Sequence, residues 1–357
     1  MTELRERAEV SALPEAAWDV RLAAARAELP FARRRWLALG LADAPRLRFV
    51  PTAVRRAEGD EVLVPLCVSG SRAQIGCYGY GSLAVSAERQ GRPVDFAGLA
   101  EAVCRERGLT ELTTLLPPYG AFPGVDRQSG TWPARPGRDT YLLRLAGDAG
   151  AVWKAARGNC RTAVRRAGAL GLVASPAAPG HESDLLDLYR QTLSRHGVTS
   201  AVTASDLAFL TAGEQAVTTV VLDEEGVQAA SVFAVGEPGA EAVGPGAGGT
   251  PGEEGAPGAF HLMQLTSERG RAANAGHLAF WSALTELAAR GVGTVDLGAA
   301  AGGGQARFKT GWGAVAAASR VVRWRPADPT QLTEATQPTG PTEPIEPGEF
   351  TDRRGTR

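Results

Sequence analysis

This sequence predicts an α/β fold with mixed sheets, built as two tandem units. Three observations carry that prediction. The chain has 357 residues, a length that suggests two domains of ordinary size. Helical and strand periodicities alternate, and the order helices, β-hairpin, helix, strand occurs once in each half, which suggests a duplicated unit. Two tracts break the pattern: a Gly/Pro/Ala/Glu segment over Gly236–Gly258, and a Thr/Pro/Glu-rich stretch from Pro326 onward. Neither is apolar enough to order itself. The expected division is a first domain over 1–147 and a second over 148–318 that contains a flexible loop at 236–258. A final strand over 319–325 and a disordered tail over 326–357 follow.

In chain order, Pro14 to Glu28 reads as a helix, with Trp18, Leu22 and Ala25 on one face. Arg33 to Leu41 is a second, opening on three arginines beside Trp36. Arg46–Val54 and Val62–Val68 read as paired strands around a turn at Ala57–Asp60, and Gln74–Tyr80 as a further extended piece. Phe96–Arg107 is a helix with Asp95 as N-cap and Gly108 beyond its end. Thr113–Leu116 is a short strand stopped by two prolines. After it, Tyr119 and Phe122 are placed to line a pocket, and Thr140–Leu145 is a strand.

Ala149–Ala169 reads as one long helix in which Arg157, Arg161 and Arg165 recur every four residues and share a face. Like charges at that spacing are mildly destabilising, so an anionic ligand would offset them. Gly171–Ala174 continues as a strand. Glu182–His196 is a helix and Ser205–Ala212 a short one, capped by Ser205. Val217–Asp223 and Val227–Val235 form a hairpin, and Ala259–Ser267 is the next strand. Leu278–Arg290 is an amphipathic helix, Thr294–Leu297 a strand, and Ser319–Trp324 the last strand. Between the last two strands, Gly298 to Gly313 reads as a glycine-rich loop carrying Arg307, Phe308 and Lys309. It sets a cation beside an aromatic on backbone able to approach a ligand closely.

Composition narrows the chemistry. No apolar run approaches the ~18 residues that span a bilayer. Met1–Val10 is charged, without a signal-peptide core, so a cytoplasmic protein is expected. The four cysteines are scattered and the four histidines lack ligand spacing, so neither metal nor disulfide framework is expected. The whole chain carries a net charge of −1, but the segment 236–258 holds four glutamates and the tail a net −3, which leaves +6 on the body. A basic body favours anionic ligands such as phosphates or RNA.

Three stretches together resemble the FemABX-like family. One is Trp153-Lys-Ala-Ala-Arg-Gly-Asn-Cys-Arg-Thr-Ala-Val-Arg-Arg-Ala167 with Gly171. Another is His277 to Gly291, followed by Val295-Asp-Leu-Gly298 and Phe308-Lys-Thr-Gly-Trp-Gly313. The third is Val62-Leu-Val-Pro-Leu66. The likeness covers Pro14 to Trp324. It implies two tandem GNAT-like domains, a substrate cleft at or between them, and a last strand that returns to the first domain. It implies an acyltransferase that moves an aminoacyl group from aminoacyl-tRNA, with no bound cofactor. The acceptor would be an amine, in a peptidoglycan precursor or another small molecule or peptide. A lipid-linked acceptor would add peripheral membrane contact. Lys309 matches the lysine that the family associates with the RNA end and the oxyanion.

Two departures qualify this. The charged helical pair that forms an arm in some members is missing. Arg269–Gly276 does not fit a pyrophosphate loop, which counts against acetyl-CoA as donor. An acetyl-CoA-dependent N-acetyltransferase nevertheless stays as an alternative, and so does a non-catalytic RNA- or ligand-binding protein. Ser267, His261 and His277 form no nucleophilic triad, so direct attack of the amine on an acyl ester is the expected chemistry. In it Lys309 meets the oxyanion, and Asp296 receives the amine proton or orients Lys309. Phe308 packs on a base or sugar, and Arg157, Arg161 and Arg165 hold phosphates. Tyr119, Tyr189 and Trp312 complete the substrate-binding set.

Overall fold

Most of the expected periodicities become elements within a few residues of where they fall in the sequence. The computed structural model describes residues 8–27, 29–55, 61–86, 96–118, 134–145, 148–213, 215–236 and 258–325. The turn at Ala57–Asp60, the cap Asp95, Tyr119, Phe122 and the Pro326 tail lie outside the described residues, as does nearly all of the 236–258 loop. The chain divides into two compact units. The first runs to Gly137 and takes in the segment that begins at Ala318, while the second begins at Arg138.

In the first unit the order is β1 (Glu9–Ala12), α1 (Glu15–Ala24), β2 (Ala25–Ala27), α2 (Arg34–Ala42), β3 (Arg48–Arg55), β4 (Glu61–Ser69), β5 (Arg72–Ile75), β6 (Ala84–Ser86), α3 (Phe96–Arg107) and β7 (Glu111–Leu116). Strands β1, β3, β4 and β5 pair antiparallel in succession. The α3 crossover then lays β7 parallel to β5. Helix α1 stops at Ala24, short of Glu28, because Ala25–Ala27 pairs with β6. The core joins Val62, Val64 and Leu66 of β4 to Phe96, Leu99 and Val103 of α3, with Trp324 packed against it.

The second unit holds most of β8 (Ala134–Arg144), then α4 (Ala149–Ala155), α5 (Gly158–Ala169), β9 (Val173–Pro176), α6 (Glu182–Ser194), α7 (Ala204–Leu207), β10 (Ala216–Asp223) and β11 (Gly226–Val235). It continues with β12 (Ala259–Thr266), α8 (Glu268–Ala272), α9 (Ala275–Ala289), β13 (Thr294–Ala299) and α10 (Gly303–Gly311). Its strand order is β8-β13-β12-β11-β10-β9, antiparallel except between β12 and β13. The last strand, β14 (Val315–Trp324), starts here and pairs antiparallel with β7 of the first unit's sheet through Arg320–Trp324. No described helix is long and apolar enough to cross a membrane.

Helix α9 is apolar nearly all round because it is covered twice, by β9–β12 and by α5. Phe280, Ala283, Leu284 and Leu287 are fully buried in a core shared with Val152, Cys160, Val164, Phe233 and Trp312.

Three readings need correction. Ala149–Ala169 is two helices, broken at Ala156 and Arg157, whose backbones are extended. Arg157 is therefore the N-cap of α5 and shares no helical face with Arg161 and Arg165. The break is held because Arg157 N–H donates to Gly311 O at 2.8 Å and Arg161 turns back onto α4. The cap of α7 is Thr203 rather than Ser205: it forms a reciprocal capping box with Asp206. In the stretch from Gly298 to Gly313, Gly298 and Ala299 still belong to β13, only 300–302 is irregular ahead of the next element, and Gly303–Gly311 is helical. Its start is tied down where Ala301 N–H donates to Gln305 Oε1 at 2.8 Å, and its buried Lys309 anchors the far end.

Candidate functional site

The chemistry-bearing residues gather where β12 and β13 part. These parallel strands pair at only two positions, Ala259 with Val295 and Phe260 with Asp296. A bulge in β12 between His261 and Met263 then increases its twist, and the strands diverge. On the β13 side the pairing with β8 also slips, between Asp296 and Ala299. Gly298, at φ 71°, makes that kink, in a conformation glycine adopts without penalty.

Asp296 holds the kink. It is 1% exposed, and its Oδ1 accepts from Thr140 Oγ1 and, at 2.6 Å, from Gly298 N–H. Lys309 closes it from the other side. It is 7% exposed, and Nζ donates to Gly298 O at 2.8 Å and to Ala299 O at 2.6 Å. The ammonium also sits 5.6 Å from the centroid of the Tyr141 ring, a cation–π distance. Helix α10 delivers Lys309 to this point by turning its buried side toward β13. A buried ammonium is tolerable only with such partners, since an unpaired one would cost several kcal/mol.

His261, on β12 beside the bulge, faces the same region. Burial and the nearby Lys309 charge push its pKa down to about 3, so the imidazole is neutral. Its Nε2 lies 3.4 Å from Ser231 Oγ, which in turn donates to Gln264 Oε1 at 3.2 Å. Gln264 Nε2 reaches Gly276 O at 3.2 Å and so ties β12 to the start of α9. Burial also lowers the pKa of His277.

Phe308 lies outside this polar knot. Its ring stands edge-on to Phe280 at 5.0 Å and to His277 at 5.1 Å, and is half-buried. Trp312 is fully buried in the same set, stacked on Trp281 at 5.9 Å. Arg161 directs Nη1 to the carbonyls of Trp153, Lys154 and Ala156, where it closes the end of α4. Arg165 lies over the Trp153 ring at 5.6 Å. Tyr189 belongs to the buried face of α6 with Leu185, Leu186 and Leu188. Tyr119 lies outside the described residues.

Lys309 and Asp296 are thus brought together through Gly298, while Trp312 and, over Trp153, Arg165 belong to an aromatic series and Arg161 closes the end of α4. Sequence reasoning missed Thr140 and Tyr141, which lie over 150 residues from their partners in the chain. Only sheet pairing joins them. Arg269–Gly276 is folded into α8 and the left-handed Asn274 ahead of α9. Among the described residues no three His, Cys, Asp or Glu side chains gather as metal ligands.

No family model and no curated protein matches the chain. Solved structures do. FemX superposes with a TM-score of 0.56 at 11% identity, over 88% of this chain and 96% of that one. The L-PGS of Bacillus licheniformis gives 0.51 at 12%, over 90% and 96%. The C-terminal (DUF2156) domain of a putative lysylphosphatidylglycerol synthetase from Agrobacterium fabrum gives 0.50 at 13%, over 84% and 90%. The likeness is one of fold: this chain has the FemX-type α/β fold that its motifs lead one to expect.

Proposed function

We propose that the protein is an acyltransferase that moves an aminoacyl group from aminoacyl-tRNA to an amine of a cell-wall precursor or another small molecule or peptide. The observation that carries the proposal is the buried Lys309 ammonium, fixed at the diverging ends of β12 and β13 in a chain with the FemX-type fold. The acceptor amine attacks the ester carbonyl and a C–N bond forms. The ester C–O bond then breaks, and the ribose hydroxyl leaves with the proton that the amine gives up. Negative charge on the carbonyl oxygen peaks between these two steps. A positive charge already held in place stabilises it without reorganisation. Asp296 acts as a positioning residue, since it holds the N–H of Gly298, the residue whose carbonyl, in the next peptide group, receives Lys309. Phe308 offers a half-buried ring beside the lysine for a base or sugar.

The test is Lys309→Met, assayed with a mixture of charged tRNAs, with acetyl-CoA as a second donor. Loss of one oxyanion partner costs ~3 kcal/mol, so transfer should fall about 100-fold or more. Far-UV circular dichroism checks that the variant folds, and Lys309→Arg, which keeps the charge, should retain part of the rate. Wild-type transfer by folded Lys309→Met protein refutes the role. Turnover of acetyl-CoA but of no charged tRNA moves the donor to the thioester.

A further inference from the structure

A second feature of the second unit lies apart from the lysine. A ladder of rings runs outward from the core, beginning at the buried Trp312. Trp281 lies parallel to it, at 5.9 Å and 3°. Trp153 follows at 4.8 Å, tilted by 46°, and the guanidinium of Arg165 lies over the Trp153 ring at 5.6 Å. Trp153 and Trp281 are half-buried, and Arg165 is exposed. The helices around the outer end are strongly basic. From Ala149 to Ala169 there are five cations, Lys154, Arg157, Arg161, Arg165 and Arg166, and no acid. Arg161 is engaged with the carbonyls of α4 and Arg165 with the indole. Lys154, Arg157 and Arg166 are exposed, and none makes an ion pair among the described residues.

A row of indoles that ends at a half-buried tryptophan under an exposed guanidinium, ringed by cations without ion pairs, matches one class of ligand well: an unpaired nucleobase with its flanking phosphates. We infer that the Trp281–Trp153–Arg165 ladder seats an unpaired base near the 3′ end of an RNA, which adds one more layer on Arg165, while Lys154 and Arg157 meet the flanking phosphates. The inference rests on the RNA-borne donor proposed above and adds the surface that takes it. Arg165 thereby serves as a stacking plane rather than a phosphate fork.

The test uses the whole chain and two labelled RNA hairpins, one blunt and one with a four-nucleotide single-stranded 3′ overhang, followed by fluorescence anisotropy. Wild-type protein should prefer the overhang. Stacking of one base on an aromatic side chain corresponds to roughly 5- to 100-fold in affinity, so Trp153→Ala should weaken overhang binding by that factor and leave blunt binding unchanged. Arg165→Ala leaves the indole core in place and should show the same selectivity loss, which covers the case of Trp153→Ala failing to fold. Lys154→Ala should weaken both RNAs alike and reduce the slope of log affinity against log salt by about 1. Overhang binding by Arg165→Ala and folded Trp153→Ala at the wild-type level overturns the inference alone and leaves the donor open. A wild-type protein that binds neither hairpin overturns it together with the RNA-borne donor. Binding to vesicles of anionic phospholipid, lost in Trp153→Ala without any RNA binding, overturns it in favour of a membrane surface.

Discussion

Lys309 is tolerated in a buried position because its ammonium donates to two backbone carbonyls, Gly298 O and Ala299 O, beside the kink. Asp296 and Lys309 thus hold successive peptide groups on either side of the Gly298 Cα. The Phe-Lys pair was legible in the sequence as a cation beside an aromatic. The carbonyls, Thr140 and Tyr141 were not, because residue type says nothing about which backbone a side chain will reach. His261 makes the site sensitive to acid. Its folded pKa, about 3, lies below the ordinary value of ~6.5, so between these limits the unfolded chain takes up the proton first. Stability is therefore complete above pH ~6.5 and lost as pH falls, by up to about 2 kcal/mol at pH 5 from this residue. Urea midpoints at pH 7.5 and pH 5.0 should differ more for the wild type than for His261→Gln. Equal differences would mean that His261 is not held neutral in the fold.

At the scale of elements, α10 departs most from the sequence reading. A run of glycines argues for a loop, since each costs roughly 1 kcal/mol against alanine in a helix. Tertiary packing overrides that cost. Gly311 presses against α5, where an added Cβ would lie 2.8 Å from Cys160 Sγ. The glycine is what lets α10 come close enough to α5 for Arg157 N–H to reach Gly311 O. Gly311→Ala should lower stability by about 1–3 kcal/mol through overpacking and reduce transfer by shifting Lys309. Adding Cys160→Ala should restore much of both. A double variant no better than Gly311→Ala in thermal melts would place the strain elsewhere. The break between α4 and α5 was hidden for a similar reason: the single Gly158 does not by itself mark a break, and the extended turn is fixed by contacts with α10 and by Arg161.

At the scale of the molecule, the first unit depends on a strand made about 200 residues after the one it pairs with. β14 pairs along β7, and its Trp324 packs on the β4–α3 core. A fragment that ends at Gly137 leaves β7 with an unpaired edge and the core open, a recipe for aggregation. That fragment should be poorly soluble or unfolded by size exclusion and circular dichroism. Fusing residues 315–325 after it should recover structure, and a well-folded 1–137 fragment would show the strand to be dispensable. The sequence by itself determined the α/β class, the places of most of the longer described helices and strands but not of β1, β2, β6 or α8, the basic character of the body and the Phe-Lys motif. All of these are local, written in periodicity and residue type within a dozen positions. Only the tertiary structure decided that a glycine-rich stretch becomes a helix, that three arginines from one apparent face go to three different tasks, and that Asp296 and Lys309 both bind the backbone of Gly298. Those outcomes depend on which backbone groups the sheet leaves unpaired and on how closely two helices can approach. Both are set by contacts between residues far apart in the chain.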